Sequence, residues 1–150
     1  LKIIGGGMIL RNTKGISTLL AVIVLFTLVS GVALGNSRYY SSVQQICKAY
    51  QIEVDYSRMS LIETADGTKD FSVTINSARN NFDRIMLIGF YAAGKAMLYL
   101  KEDIQTVNII VSVEYKGVEN IMATAVKDDI LAYVEGKMSS AEFVKKLKFS

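Results

Sequence analysis

Residues Ile16 to Gly35 read ISTLLAVIVLFTLVSGVALG, twenty residues without a charge. At ~1.5 Å rise per residue such a run forms a helix of roughly 30 Å, the thickness of the hydrocarbon core of a bilayer. A helix is the single-segment structure that satisfies its own backbone there. The run therefore predicts a transmembrane helix over Ile16–Gly35, which divides the rest of the chain into a short leader, residues 1–15, and a domain, residues 36–150.

Charge gives the run a direction. Three of the 17 basic residues, Lys2, Arg11 and Lys14, precede it, and the other 14 equal the 14 acidic residues, so the whole formal charge of +3 lies on one flank. Basic flanks stay cytoplasmic, which predicts a single-pass membrane protein with its N-terminus inside and its domain outside. Arg38 and Lys48 on the far side weaken this bias without reversing it. The basic isoelectric point is thus a topology signal. No basic stripe with interleaved aromatics points to nucleic acid.

Residues 1–7, LKIIGGG, precede the first methionine, Met8. A purine-rich ribosome-binding site translated in frame would spell such glycines, so the segment reads as a gene-start artefact or as a Gly-rich leader. It is set aside from fold reasoning in either case. Three export readings of the rest compete. Ala33-Leu34-Gly35 supplies the small residues of a cleaved secretory signal, although the apolar run is longer than a usual signal core. A plain signal anchor needs only the helix and its basic flank. In the third, Lys14-Gly15-Ile16-Ser17-Thr18 sets a basic residue and a glycine before the hydroxyl-bearing start of a long helix.

Over residues 8–35 this segment resembles the class III signal of archaeal type IV pilin-like proteins and archaellins. The resemblance implies a prepilin-type peptidase cutting between Gly15 and Ile16, with Lys14 beside the cut. The retained helix would then meet like or related subunits in a filament core. Two features depart from the wider family. The fifth mature position is Leu20 where bacterial pilins carry glutamate, and no N-glycosylation sequon occurs where archaellins usually carry several. Gly31 and Gly35 form a GxxxG pair that allows close helix packing in lipid, or are simply small residues at a helix end.

Beyond Gly35, the apolar residues Val43, Ile46, Cys47, Tyr50 and Val54 recur at helical spacing, predicting an amphipathic helix to about Glu63. Tyr39 and Tyr40, just past the apolar run, read as an interfacial belt or as ordinary helix surface. Thr64 to Asp70 is a polar loop with an Asp-Gly turn. Phe71 to Ile75 alternates as a short strand, and Asn76 or Ser77 can cap a helix over Ala78–Lys101. Within that helix, Ile85–Leu100 carries one charge, Lys95, yet its sixteen residues reach only about 24 Å. It is expected to be a buried helix, with Gly89, Ala92, Ala93 and Ala96 as a face of close approach to its own sheet or to another subunit.

Val107–Glu114 and Val118–Ala125 form a hairpin. A two-residue loop would set Glu114 against Glu119, a costly like-charge pair. A three-residue loop, Tyr115-Lys116-Gly117, pairs Glu114 with Val118 and puts Gly117 where a left-handed residue is needed. Asp128 or Asp129 can cap a short helix ending at Gly136. Ser139 with Glu142 is a capping box for a last helix with Phe143, Val144 and Leu147 inward. The predicted fold is α+β: a long N-terminal transmembrane and amphipathic helix, then a small domain whose antiparallel hairpin sheet is packed by helices.

The residue inventory restricts chemistry. With no histidine and one cysteine, the usual zinc sites and the Ser–His and Cys–His nucleophile pairs are closed. Cys47 reads as a small buried hydrophobe or as the partner in an intermolecular disulfide. The acid pairs Glu102-Asp103 and Asp128-Asp129 read as caps and solvated loops, with a divalent metal as the lesser alternative. Lys145, Lys146 and Lys148 complement a helix C-terminus. No catalytic, cofactor-binding or metal residues are assigned, and no enzyme is expected. Two functions remain: a structural subunit resembling a minor pilin-like protein, and an anchored or secreted domain that binds an unidentified ligand.

Overall fold

A computed structural model describes residues 36–114 and 116–150. Lys14, Gly15, Ile16, Gly31 and Gly35, with the apolar run itself, lie outside them. From Arg38 to Ser150 the chain forms one compact unit. The described part of its first helix, α1, covers residues 36–49. A short 3-10 turn, Tyr56–Arg58, leads into strand β1, Met59–Glu63, and then β2, Lys69–Ser77. A second turn, Arg79–Asn81, opens the long helix α2, Phe82–Leu100. Strands β3, Thr106–Glu114, and β4, Val118–Val126, follow, then helices α3, Lys127–Val134, and α4, Ser140–Lys146, and a terminal strand β5, Lys148–Phe149. The strands make one sheet in the order β1-β2-β3-β4-β5.

The fold is α+β, but the sheet is mixed rather than wholly antiparallel. β2 and β3 run parallel, with Phe71 opposite Val107 and Ile75 opposite Val111, and the other pairs are antiparallel. Parallel neighbours need a crossover of a dozen residues or so, which α2 provides. The hairpin register is the predicted one. Glu114 pairs with Val118, Ile109 with Ala123 and Val107 with Ala125, and Gly117 has φ +139°. Lys116, at φ +51°, is also left-handed.

The first helix is the main correction. It ends after residue 49 instead of near Glu63, because Gln51 takes a left-handed conformation, φ +64°. The Gln51 and Ile52 N–H groups then turn back to the Lys48 and Cys47 carbonyls, both at 3.0 Å, a helix-ending motif that usually carries glycine. The released chain becomes β1. Edge strands need protection from stray pairing; here the Leu61 N–H donates to the Tyr40 hydroxyl at 2.8 Å.

Other boundaries shift for local reasons. Neither Asn76 nor Ser77 caps α2; the cap position is Asn81, which makes no side-chain cap bond, and the Ser77 hydroxyl donates to the Ala78 carbonyl. Val126 holds the cap position of α3, and Asp128 and Asp129 fall in its first turn, where their charge favours the helix dipole. The Ser139–Glu142 capping box forms as expected. Phe143 is buried, while Leu147 ends the helix and leads into β5.

Helices cover one face of the sheet. Phe71, Val73, Ile75, Val107, Ile109, Val111 and Ala123 are buried on that face, along with Met86, Phe90 and Ala93 of α2. A Cβ at Gly89 would lie 3.0–3.2 Å from Ile109 and Ile75, so this small position seats α2 on its own sheet. Phe143 ties α4 in, edge-on to Phe90 and stacked on Tyr133 with centroids 4.6 Å apart. Among the described residues, no helix is long and apolar enough to cross a membrane.

Tyr39 and Tyr40 do not form an interfacial belt. Tyr39 is 0% exposed, donates to the Ala93 carbonyl at 2.9 Å and meets Phe71 edge-on at 4.9 Å. Burial and, next, the negative charge of Glu102 hold its phenol neutral by raising its pKa well above the ordinary value. Cys47 is likewise sealed in the core. Burial pushes its thiol up to about 11, and no second chain can reach it for a disulfide while the domain is folded.

Candidate functional site

The face of the sheet opposite the helices sets polar rows among the apolar residues Ile62, Ile110, Met122 and Val126. Alternation along β2, β3 and β4 sends Ser72, Asn108 and Thr124 there in one row. Asn108 donates to the Ser72 hydroxyl at 3.1 Å and accepts from the Thr124 hydroxyl at 2.7 Å. The next row toward the C-terminal ends of β2 and β3 sets Thr74 beside Ile110 and Met122, and the one after it brings Asn76, Ser112 and Asn120 to the same face.

At that end the turn before β1 swings Arg58 over β2, where its guanidinium donates to the Asn76 amide oxygen at 3.4 Å. Two adjoining depressions share Arg58, Thr74 and Asn76. One, of ≈ 550 Å³, runs toward α1 past Gln44 and Lys48 and also holds Glu53 and Asp55. The other, of ≈ 740 Å³, crosses the sheet past Ser112, Glu114 and Asn120. Ligands favour the carboxyl ends of parallel strands, and here amides, hydroxyls and one guanidinium gather at such an end. The surface can hydrogen-bond a polar ligand or peptide.

The acid pairs turn to lysines. Glu102 meets Lys69 at 3.2 Å and Asp103 meets Lys127 at 2.5 Å, while Asp129 lies 3.7 Å from Lys146. Among the described residues, no three acids, cysteines or histidines gather as a metal-ligand set. Asp66, in the β1–β2 turn, accepts from the Thr64 and Thr68 hydroxyls and the Thr68 N–H. These bonds lower its pKa to about 2 and account for the carboxylate without a ligand.

The hairpin register read from the sequence already places Asn108, Ser112, Asn120 and Thr124 together on one face. It does not reach Arg58 and Asn76, because the apolar spacing beside Arg58 mimics a helix where the chain forms β1. The alternation Ser72-Thr74-Asn76 is the signal that could have found this end of the site. No family model matches the chain, and no curated protein or solved structure matches it.

Proposed function

We propose that this chain is a membrane-anchored extracytoplasmic assembly subunit similar to a minor type IV pilin-like protein. Ile16–Gly35 is its membrane helix, its N-terminus is cytoplasmic and its α+β domain lies outside. In this reading its partners are membrane lipid, a prepilin-type peptidase, and like or related subunits met through the N-terminal helix.

The observation that carries this reading is the burial of Tyr39. Only four residues after Gly35, the chain is already fixed in the core of the domain. A subunit held in an assembly by its N-terminal segment needs a domain ordered from close to that segment, and packing that begins at Tyr39 supports this reading.

The polar cleft around Arg58 favours a second reading, an anchored binding domain whose ligand is polar. Leader processing separates the two. Co-expressed with a prepilin-type peptidase, the chain should lose residues up to Gly15 and keep its helix, as read by intact mass. Gly15→Val should block the cut, since a small residue lets the backbone extend into the protease, and Gly35→Val should leave it unchanged. A secretory signal gives the reverse pattern. An uncut wild type would remove the pilin-like reading and leave the anchored binding domain.

A further inference from the structure

The depression between α1 and the turn before β1 is lined by charges of both signs that do not meet one another. Residues 52–55 alternate along its wall. Ile52 and Val54 are 6% exposed and anchor in the core, while Glu53 and Asp55 are exposed and line the cleft. The Gln44 side chain holds this wall to α1, donating to the Val54 carbonyl at 2.8 Å. Lys48, in the last turn of α1, and Arg58 supply the positive charges. Among the described residues, neither these cations nor Glu53 and Asp55 form an ion pair. Acids elsewhere in the domain do meet lysines, as Glu102 meets Lys69.

Arg58 is held in place by Asn76. One terminal nitrogen of its guanidinium donates to the Asn76 amide oxygen at 3.4 Å. The rest of the fork remains able to donate, and so does the Asn76 NH2 group beside it. Planar donors set side by side match the two oxygens of a carboxylate. A simple anion suits the rest of the cleft poorly, because Glu53 and Asp55 repel it. A ligand that also carries an ammonium group meets those carboxylates and turns the repulsion into attraction. The cleft, at ≈ 550 Å³, falls within the range of about 300–1,000 Å³ usual for small-ligand sites.

We propose that this cleft binds a small zwitterion, a short unblocked peptide or an α-amino acid. The ligand carboxylate lies on Arg58 and Asn76, and its ammonium group faces Glu53 and Asp55. The inference rests on the reading of this cleft as a site for a polar ligand, the second function given above, and is independent of how the domain is anchored. Every group it uses belongs to the described domain, and the wall that carries the two acids is fixed by buried side chains on one side and by Gln44 on the other.

Glycylglycine, titrated into the nitrogen-15-labelled full chain in a nonionic polyoxyethylene detergent, should shift the Asn76 side-chain amide and the Arg58 Nε–H resonances to saturation. N-acetylglycylglycine lacks the amine and glycylglycinamide lacks the carboxylate. Each should bind about tenfold more weakly or worse, the loss of one charge-assisted contact. Arg58→Gln should weaken glycylglycine binding while leaving the amide spectrum of the core unchanged. Glu53→Gln combined with Asp55→Asn should abolish the preference for glycylglycine over its acetylated form. Trehalose, polar and uncharged, keeps the two ideas apart. Equal affinity for glycylglycine and its blocked forms, or shifts at the cleft with trehalose and none with glycylglycine, overturns the zwitterion and leaves a site for another polar ligand. A cleft that responds to none of the four compounds overturns the zwitterion and the polar-ligand reading together.

Discussion

Gly94→Ala is a demanding test of how α2 and α3 meet. In an open helix this change stabilises by about 1 kcal/mol, since glycine loses more backbone freedom on folding. Here the added methyl would lie 2.6 Å from Val134 Cγ2 and 2.8 Å from Ile130 Cγ2. Ordinary carbon contacts are about 3.5–4.0 Å, so α3 must retreat by roughly 1 Å. Both neighbours are β-branched residues on a helix, whose single preferred rotamer prevents an easy swing aside. Overpacking of this kind costs about 1–3 kcal/mol, which exceeds the propensity gain over most of that range. The expected result is a net loss of about 1 kcal/mol, read by urea denaturation of residues 36–150. Val134→Ala removes the nearer methyl, so the double variant should lose less than the sum of the singles. A Gly94→Ala domain more stable than wild type, or strict additivity with Val134→Ala, would refute the packing described for this pair.

Three further outcomes follow from local geometry. Gly117→Val should cost about 1–3 kcal/mol in urea denaturation, because a β-branched residue resists positive φ. Cys47 should resist a thiol reagent in the folded domain and react at a rate that tracks unfolding. Asp66 has its folded pKa lowered to about 2 from 3.8, so its contribution to the β1–β2 turn is present above about pH 4 and is lost as pH falls toward about 2. Amide shifts of Thr64 and Thr68 should follow that titration in wild type and not in Asp66→Asn.

What is legible in the sequence, and what is not, divides by the kind of signal. The β3–β4 register is legible because one alternative sets two glutamates face to face and the other gives Gly117 its turn. The capping box at Ser139 is legible because its two partners are three residues apart. β1 is hidden: Val54, Met59 and Leu61 extend the apolar spacing of α1, and the helix stops at Gln51 with neither glycine nor proline to mark it. The mixed sheet is nearer to hand. Strand, long helix and strand in succession form a βαβ unit, which implies parallel neighbours. The polar alternation of Ser72, Asn108 and Thr124 points instead to an antiparallel sheet, since parallel strands are usually buried on both faces. The Arg58 cleft depends on β1 and is hidden with it.

A self-contained domain behind a single membrane helix is the central claim, and membrane partition of two chains, the full sequence and residues 36–150, tests it directly. The full chain should remain with the membrane after carbonate extraction. Residues 36–150, with balanced charge and α2 buried against its own sheet, should stay in the soluble fraction as a folded monomer. Aggregation or membrane retention of residues 36–150, beside a monodisperse full chain in detergent, would contradict the claim, because Ile85–Leu100 would then need a cover that the domain does not supply.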